Sequence, residues 1–263
     1  NKIIDYYMAM GPIILGHTPA IEVYTYSMTA PEWDDDDETR QYQARTRFQD
    51  VSDLSVRACA DAIRADDLDI LVDLMGFSFG LPHLVYALAP APTIITAWGH
   101  VAAGTQHRAV EYLFADPIAL PRYERQHYSE RIIDLPCVVA YRPPAGVPTI
   151  RPTTRRPFRY GCFHRFQKVT DRTLRAWAEI LHRVPRAELI IKSWDFERAH
   201  DLPRLLDAFG PAARRVRIDS PTHWTEHLND MNEIDVQLDT MPFTGGVVTM
   251  EALLMGVPTV TRT

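Results

Sequence analysis

Two stretches of this chain carry residue types that could hold a phosphate. The first is Phe163-His164-Arg165-Phe166-Gln167-Lys168, which brings two cations close together. The second runs Asp235-Val-Gln-Leu-Asp239, continues through Thr240-Met-Pro-Phe-Thr to Gly245 and Gly246, and ends in Val247-Val-Thr249-Met-Glu251-Ala-Leu-Leu. It reads as an alternating strand, a turn with Pro and paired glycines, and an apolar helix with Glu251 close to its first turn. Such a junction points free backbone N–H groups at whatever precedes the helix, and the helix dipole adds roughly half a positive charge there. That combination suits an anion, although paired glycines also serve as a plain tight connection. A diphosphate leaving a sugar gathers negative charge on the bridging oxygen, and a preplaced Lys168 or Arg165 would stabilise it without reorganisation.

The elements that must position these groups follow from periodicity. Strands are predicted at Ile21 to Tyr26, Asp69 to Leu74 and Thr93 to Ala97, with helices at Val56 to Ala65 and Leu81 to Leu88. The acidic run Asp34 to Glu38 reads as a solvated loop. Between Arg142 and Arg159 the prolines Pro143, Pro144, Pro148, Pro152 and Pro157 stiffen the chain and remove donors, as in a linker. Alternation then restarts, with strands at Tyr160 to Phe163, Glu188 to Lys192, Val216 to Ile218 and Asp235 to Asp239. Helices are predicted at Asp171 to His182, capped by Thr170 or Asp171, at Pro203 to Phe209 and at Thr222 to Asn229. Repeated strand–helix order means α/β domains with parallel sheets, which bind ligands at the carboxyl ends of their strands. The expected division is an N-terminal α/β domain over residues 1–145, a Pro/Arg-rich linker over 146–158, and a C-terminal α/β domain over 159–263, with a ligand between the two.

Composition narrows the field. The 263 residues are 46% hydrophobic and 24% charged, with a net charge of −6, so no basic footprint for nucleic acid exists. No apolar run reaches the roughly 18 residues that span a bilayer, and a cytoplasmic location is expected. Cys59, Cys137 and Cys162 form neither a disulfide framework nor a metal motif, and no two of the histidines fall at the spacing of a helical zinc pair, so no metal is expected. The absence of an initial methionine and the stop after an apolar strand lead to the expectation that this is a segment of a longer protein.

The blocks Asp69-Ile-Leu-Val-Asp-Leu-Met-Gly76, Ala87-Leu-Ala-Pro-Ala-Pro92, Trp98-Gly-His100, Glu111-Tyr112 to Asp116, Tyr128-Ser-Glu130, the loop to Lys168, Glu226-His-Leu228, Asp235 to Asp239 and Glu251 to Val260 occur in a telling order. Through them the chain resembles the catalytic region of the O-linked N-acetylglucosamine transferase family, which has plant and bacterial relatives and a branch that glucosylates asparagine. The resemblance implies an α/β fold of GT-B type, two Rossmann-like domains facing each other across a cleft. It implies an inverting, metal-independent enzyme with no cofactor, which moves N-acetylglucosamine or a hexose from a UDP-sugar donor to a protein acceptor. By position, Lys168 matches a diphosphate-contacting lysine and Arg165 a polar donor of the same loop. His227 falls where a histidine stacks on uracil, Glu251 where a carboxylate accepts from ribose hydroxyls, and Gly245, Gly246 and Thr249 in the phosphate turn. His100 aligns with the asparagine-glucosylating branch and would face the acceptor.

Val247 and Val248 stand where members of the family commonly carry threonines. That departure, with the histidine-bearing segment that usually starts the family's catalytic region not found here, motivates a second reading as a catalytically inactive scaffold of the same fold; Phe77 also stands where bacterial relatives often carry histidine. A sugar-nucleotide epimerase on this architecture is a third.

Overall fold

A computed structural model describes residues 16–28, 37–74, 76, 81–97, 104–138, 141–143, 146–151 and 157–262. The chain divides into two compact units, Asn1–Arg142 and Pro143–Thr263.

In the first unit, β1 (Tyr24–Ser27) and β2 (Arg47–Asp50) pair in parallel, with α1 (Asp37–Arg45) between them in the chain. The expected acidic loop is therefore corrected for Asp37 and Glu38, which open α1; Asp34 to Asp36 lie outside the described residues. The helix α2 (Val56–Ala65) has the predicted bounds. Ser55 caps it, its hydroxyl accepting from the Ala58 amide at 3.3 Å, and Cys59, Ala60 and Ile63 form its buried face. Four parallel strands follow in spatial order: β3 (Ile70–Asp73), β4 (Thr93–Thr96), β5 (Tyr112–Ala115) and β6 (Arg131–Asp134). The helix α3 (Leu81–Tyr86) connects β3 to β4. Buried Asp73 ties these elements together at the end of β3, accepting from the Tyr86 hydroxyl at 2.8 Å, Thr96 Oγ1 at 2.9 Å and the Gly76 amide at 3.1 Å.

The second unit is a five-stranded parallel sheet. Its elements are β7 (Arg159–Cys162), α4 (Asp171–Arg183), β8 (Glu188–Lys192), α5 (Arg198–Phe209), β9 (Val216–Asp219), α6 (Trp224–Met231), β10 (Val236–Leu238), α7 (Val247–Leu254) and β11 (Thr259–Val260). The spatial order is β11-β10-β7-β8-β9, so the chain winds outward from β7 through β8 to β9 and then returns to pair β10 on the other side of β7. Order reverses between β7 and β10, the place where loops leaving the carboxyl ends diverge and leave a crevice.

The core of this unit is dense: Leu174, Trp177, Ala178 and Leu181 of α4 pack on Leu189 and Ile191 of β8 and on Leu205 and Phe209 of α5. The helix α5 begins at Arg198 and not at Pro203 as predicted. Asp201 Oδ2 accepts from the Glu197 amide at 2.9 Å and secures the upstream turn, which leaves Pro203 inside the helix. Residues within the expected linker pack on this unit: the Arg151 amide donates to Asn232 Oδ1 at 2.9 Å and Val147 lies against the cluster around Phe163.

Candidate functional site

The loops after β7 and β10 flank the point of reversal, and both cations and both glycines sit on them. The β7 loop passes through His164 and Arg165 into a short 3-10 turn, Phe166–Lys168. It is held from the segment just beyond β8: the Phe166 amide donates to Asp195 Oδ1 at 2.6 Å and Ser193 Oγ at 3.0 Å, and the Gln167 amide to Asp195 Oδ2 at 3.3 Å. Thr170 then caps α4, accepting from the Thr173 amide at 3.2 Å and donating to the Met241 carbonyl at 3.0 Å. One side chain thus starts a helix and ties it to the second loop.

The β10 loop is organised by Asp239. Its Oδ1 accepts from the amides of Thr240 and Gly245, each at 2.8 Å. An aspartate at a turn accepts from backbone amides in this way because its short side chain reaches them without strain. Thr240 Oγ1 donates to the Phe243 carbonyl at 2.6 Å, closing the loop on itself. Gly246 is the N-cap of α7 and no side chain caps that helix. Among the described residues the amides of Gly246, Val247 and Val248 find no acceptor, so the positive end of α7 is open.

His164 lies under this turn and is nine-tenths buried or more, with 2% of its surface exposed. Its Nε2 is 3.3 Å from Asp239 Oδ1 but is not aligned for a hydrogen bond, so the approach is electrostatic and Nε2 has no hydrogen-bond partner. Burial pushes the imidazole down to about 4, Asp239 opposing and Lys168 reinforcing the shift, and the ring is neutral at pH 7. Thr249 Oγ1 is likewise buried without a partner on the other side of Gly245.

Lys168 reaches the same turn. Its Nζ donates to the Thr244 carbonyl at 3.1 Å. Half-burial and the neighbouring Arg165 guanidinium lower its pKa, with Asp239 among the groups that pull it back. Arg165 is exposed and lies 4.9 Å over the Trp194 ring.

A cluster of aromatic and carboxylate side chains from α6 and α7 adjoins this turn. His227 of α6 packs against Phe163 with ring centroids 5.5 Å apart, and its Nε2 is 3.3 Å from Glu251 Oε2. Glu251 is buried and sits at the start of the second turn of α7, close to the first turn as predicted. Beneath Phe163, Lys192 at the end of β8 donates to Asp230 of α6 and to Thr222.

Lys168, Arg165, Gly245, Gly246 and Thr249 are therefore brought together, and His227 and Glu251 form a pair beside them. His100 lies outside the described residues. Sequence reasoning did not single out His164 or Asp239 as organisers of the site. The signal for Asp239 was its place at the end of an alternating strand before a glycine turn; His164 carried none, because an isolated histidine after a strand has no pattern of its own. Among the described residues, no group of three or more His, Cys, Asp or Glu is placed to hold a metal, and no helix is long and apolar enough to cross a membrane.

Residues 9–139 match the model of glycosyl transferase family 41. The chain is 30% identical over 222 residues to a protein of Arabidopsis thaliana named probable UDP-N-acetylglucosamine–peptide N-acetylglucosaminyltransferase SPINDLY, covering 81% of this chain and 24% of that one. It therefore spans about a quarter of that relative's length. A solved structure of a Thermobaculum terrenum O-GlcNAc transferase mutant is 33% identical with a TM-score of 0.87, over 98% of this chain and 49% of the other. The apo lipopolysaccharide outer core galactosyltransferase WaaB shares the fold alone, at 13% identity and a TM-score of 0.53, over 98% of this chain and 75% of the other. With parallel α/β sheets in each unit, these likenesses make the fold GT-B type with Rossmann-like domains. By sequence and structure together, the chain belongs to the O-linked N-acetylglucosamine transferase-like glycosyltransferases of family 41.

Proposed function

We propose that the chain is the sugar-transfer region of a protein glycosyltransferase that takes N-acetylglucosamine or a hexose from a UDP-sugar and places it, with inversion, on a protein side chain. The observation that carries this reading is the meeting of the Lys168 ammonium with the glycine turn, 3.1 Å from the Thr244 carbonyl, beside the uncapped start of α7. An anion seated there meets a lysine, Arg165 and free amides, and these groups stabilise charge growing on a departing diphosphate without a metal. Gly245, Gly246 and Thr249 would line the phosphates. The outer face of His227 would stack on uracil, Glu251 would accept from the ribose hydroxyls, and His100 would face the acceptor. A cytoplasmic location fits the buried free thiols of Cys59 and Cys162.

The test uses the full-length protein. Titration calorimetry should show UDP binding, and transfer from a UDP-sugar panel to lysate proteins, read by mass spectrometry, should fall by about a thousandfold in Lys168→Ala. Wild-type turnover in that variant would refute the role given to Lys168. Val247 and Val248, which offer no hydroxyl at the start of α7, favour a second reading as an inactive binding module. Absence of UDP binding heat in the intact wild-type protein would decide for it.

A further inference from the structure

Lys168 has a neighbour on the glycine turn that diphosphate binding leaves unexplained. Its Nζ lies 4.5 Å from the centroid of the Phe243 ring, which is 56% exposed at the tip of the loop. The backbone under that ring is fixed, since the Phe243 carbonyl accepts from Thr240 Oγ1 and the Thr240 amide is held by Asp239. A large apolar ring left in water by a well-tethered loop gains from a cation on its face.

The cation gains as well. A lysine is a point charge on a flexible four-carbon stem, and its rotamers must be restricted before it can act on one oxygen. The charged and titratable groups that face it are Arg165 from its own loop, Asp239 from the end of β10, Asp195 from beyond β8, and Cys162 and His164 from the end of β7. Burial and Arg165 disfavour the ammonium, and the quadrupole of the ring favours it.

We infer that Phe243 is a positioning residue for Lys168: its ring, together with the Thr244 carbonyl, seats the ammonium over the glycine turn before any anion arrives. This rests on Lys168 acting on a donor diphosphate. The seat keeps the lysine both charged and localised in a spot where its surroundings oppose charge.

The experiment compares wild type with Phe243→Leu and Phe243→Tyr in the full-length protein. The titration of Lys168 is followed by NMR of its ε-carbon, assigned with Lys168→Arg, and UDP affinity is measured by calorimetry across alkaline pH. Because the ring is more than half exposed, leucine opens no cavity. Phe243→Leu should move the Lys168 titration down by about half a pH unit, with the alkaline loss of UDP binding moving equally, and Phe243→Tyr should restore both. An unchanged titration in Phe243→Leu, or a tyrosine variant that behaves like leucine, would overturn the inference. If wild type binds no UDP at all, the donor reading fails while the NMR titration still decides whether the seat exists.

Discussion

The imidazole of His164 occupies the space that a side chain at residue 245 would need. A Cβ built on Gly245 would lie 2.2 Å from His164 Cε1 and 2.3 Å from Thr249 Oγ1, closer than any real contact. The glycine is therefore demanded by close approach, and the ring that demands it is itself locked between Asp239 and the turn. Gly245→Ala should push His164 aside and weaken UDP binding by about tenfold or more, with far-UV circular dichroism unchanged. Wild-type affinity in that variant would show that the turn tolerates the displacement.

The two ends of the site should separate when probed with fragments. His227→Ala removes the ring that packs on Phe163 and should cost about tenfold in UDP affinity while leaving inorganic pyrophosphate binding alone. Lys168→Ala should weaken both ligands. Calorimetry with UDP and pyrophosphate on each variant distinguishes this pattern from a general loss of packing, which would lower the two affinities together.

His164 ties stability to acid. Its folded-state pKa, about 4, lies below the ordinary 6.5, so between these values the unfolded chain binds the extra proton. Stability is then fully present above about pH 6.5, is lost as pH falls through the window, and levels off near pH 4, for a total of up to about 3 kcal/mol. Urea unfolding at several pH values should show this slope in wild type and a flatter one in His164→Gln.

The buried ammonium of Lys192 is matched by Asp230 and Thr222. Lys192→Met leaves Asp230 without its cation, with only the Thr222 hydroxyl donating to it, and because that carboxylate is partly solvated the cost should be about 2 to 4 kcal/mol. Lys192→Met combined with Asp230→Leu should recover most of it, since an apolar pair of similar volume carries no stranded charge. Equal loss in the single and double variants, measured by thermal unfolding, would contradict the pairing.

Strong periodicity made much of the fold legible. The bounds of α2 and β8 come directly from the spacing of Val56, Cys59, Ala60 and Ile63 and from the apolar run Leu189 to Ile191 between Glu188 and Lys192. The short strands β2, β5 and β6 have weak alternation and were not predicted; they are fixed by pairing with distant neighbours, which a local window does not see. In the site, the glycine turn and Lys168 were readable because helix starts and cations have local signatures. The contact of His164 with Gly245 was not, because it joins residues from two loops that meet only when β10 returns beside β7.

Asp239 carries one more consequence. Two backbone amides converge on a single one of its carboxylate oxygens, Oδ1, with His164 Nε2 3.3 Å from the same atom, so that oxygen is engaged in shaping the loop. An oxygen so engaged is ill suited to collect a proton, because protonation would cost the turn its two amide bonds.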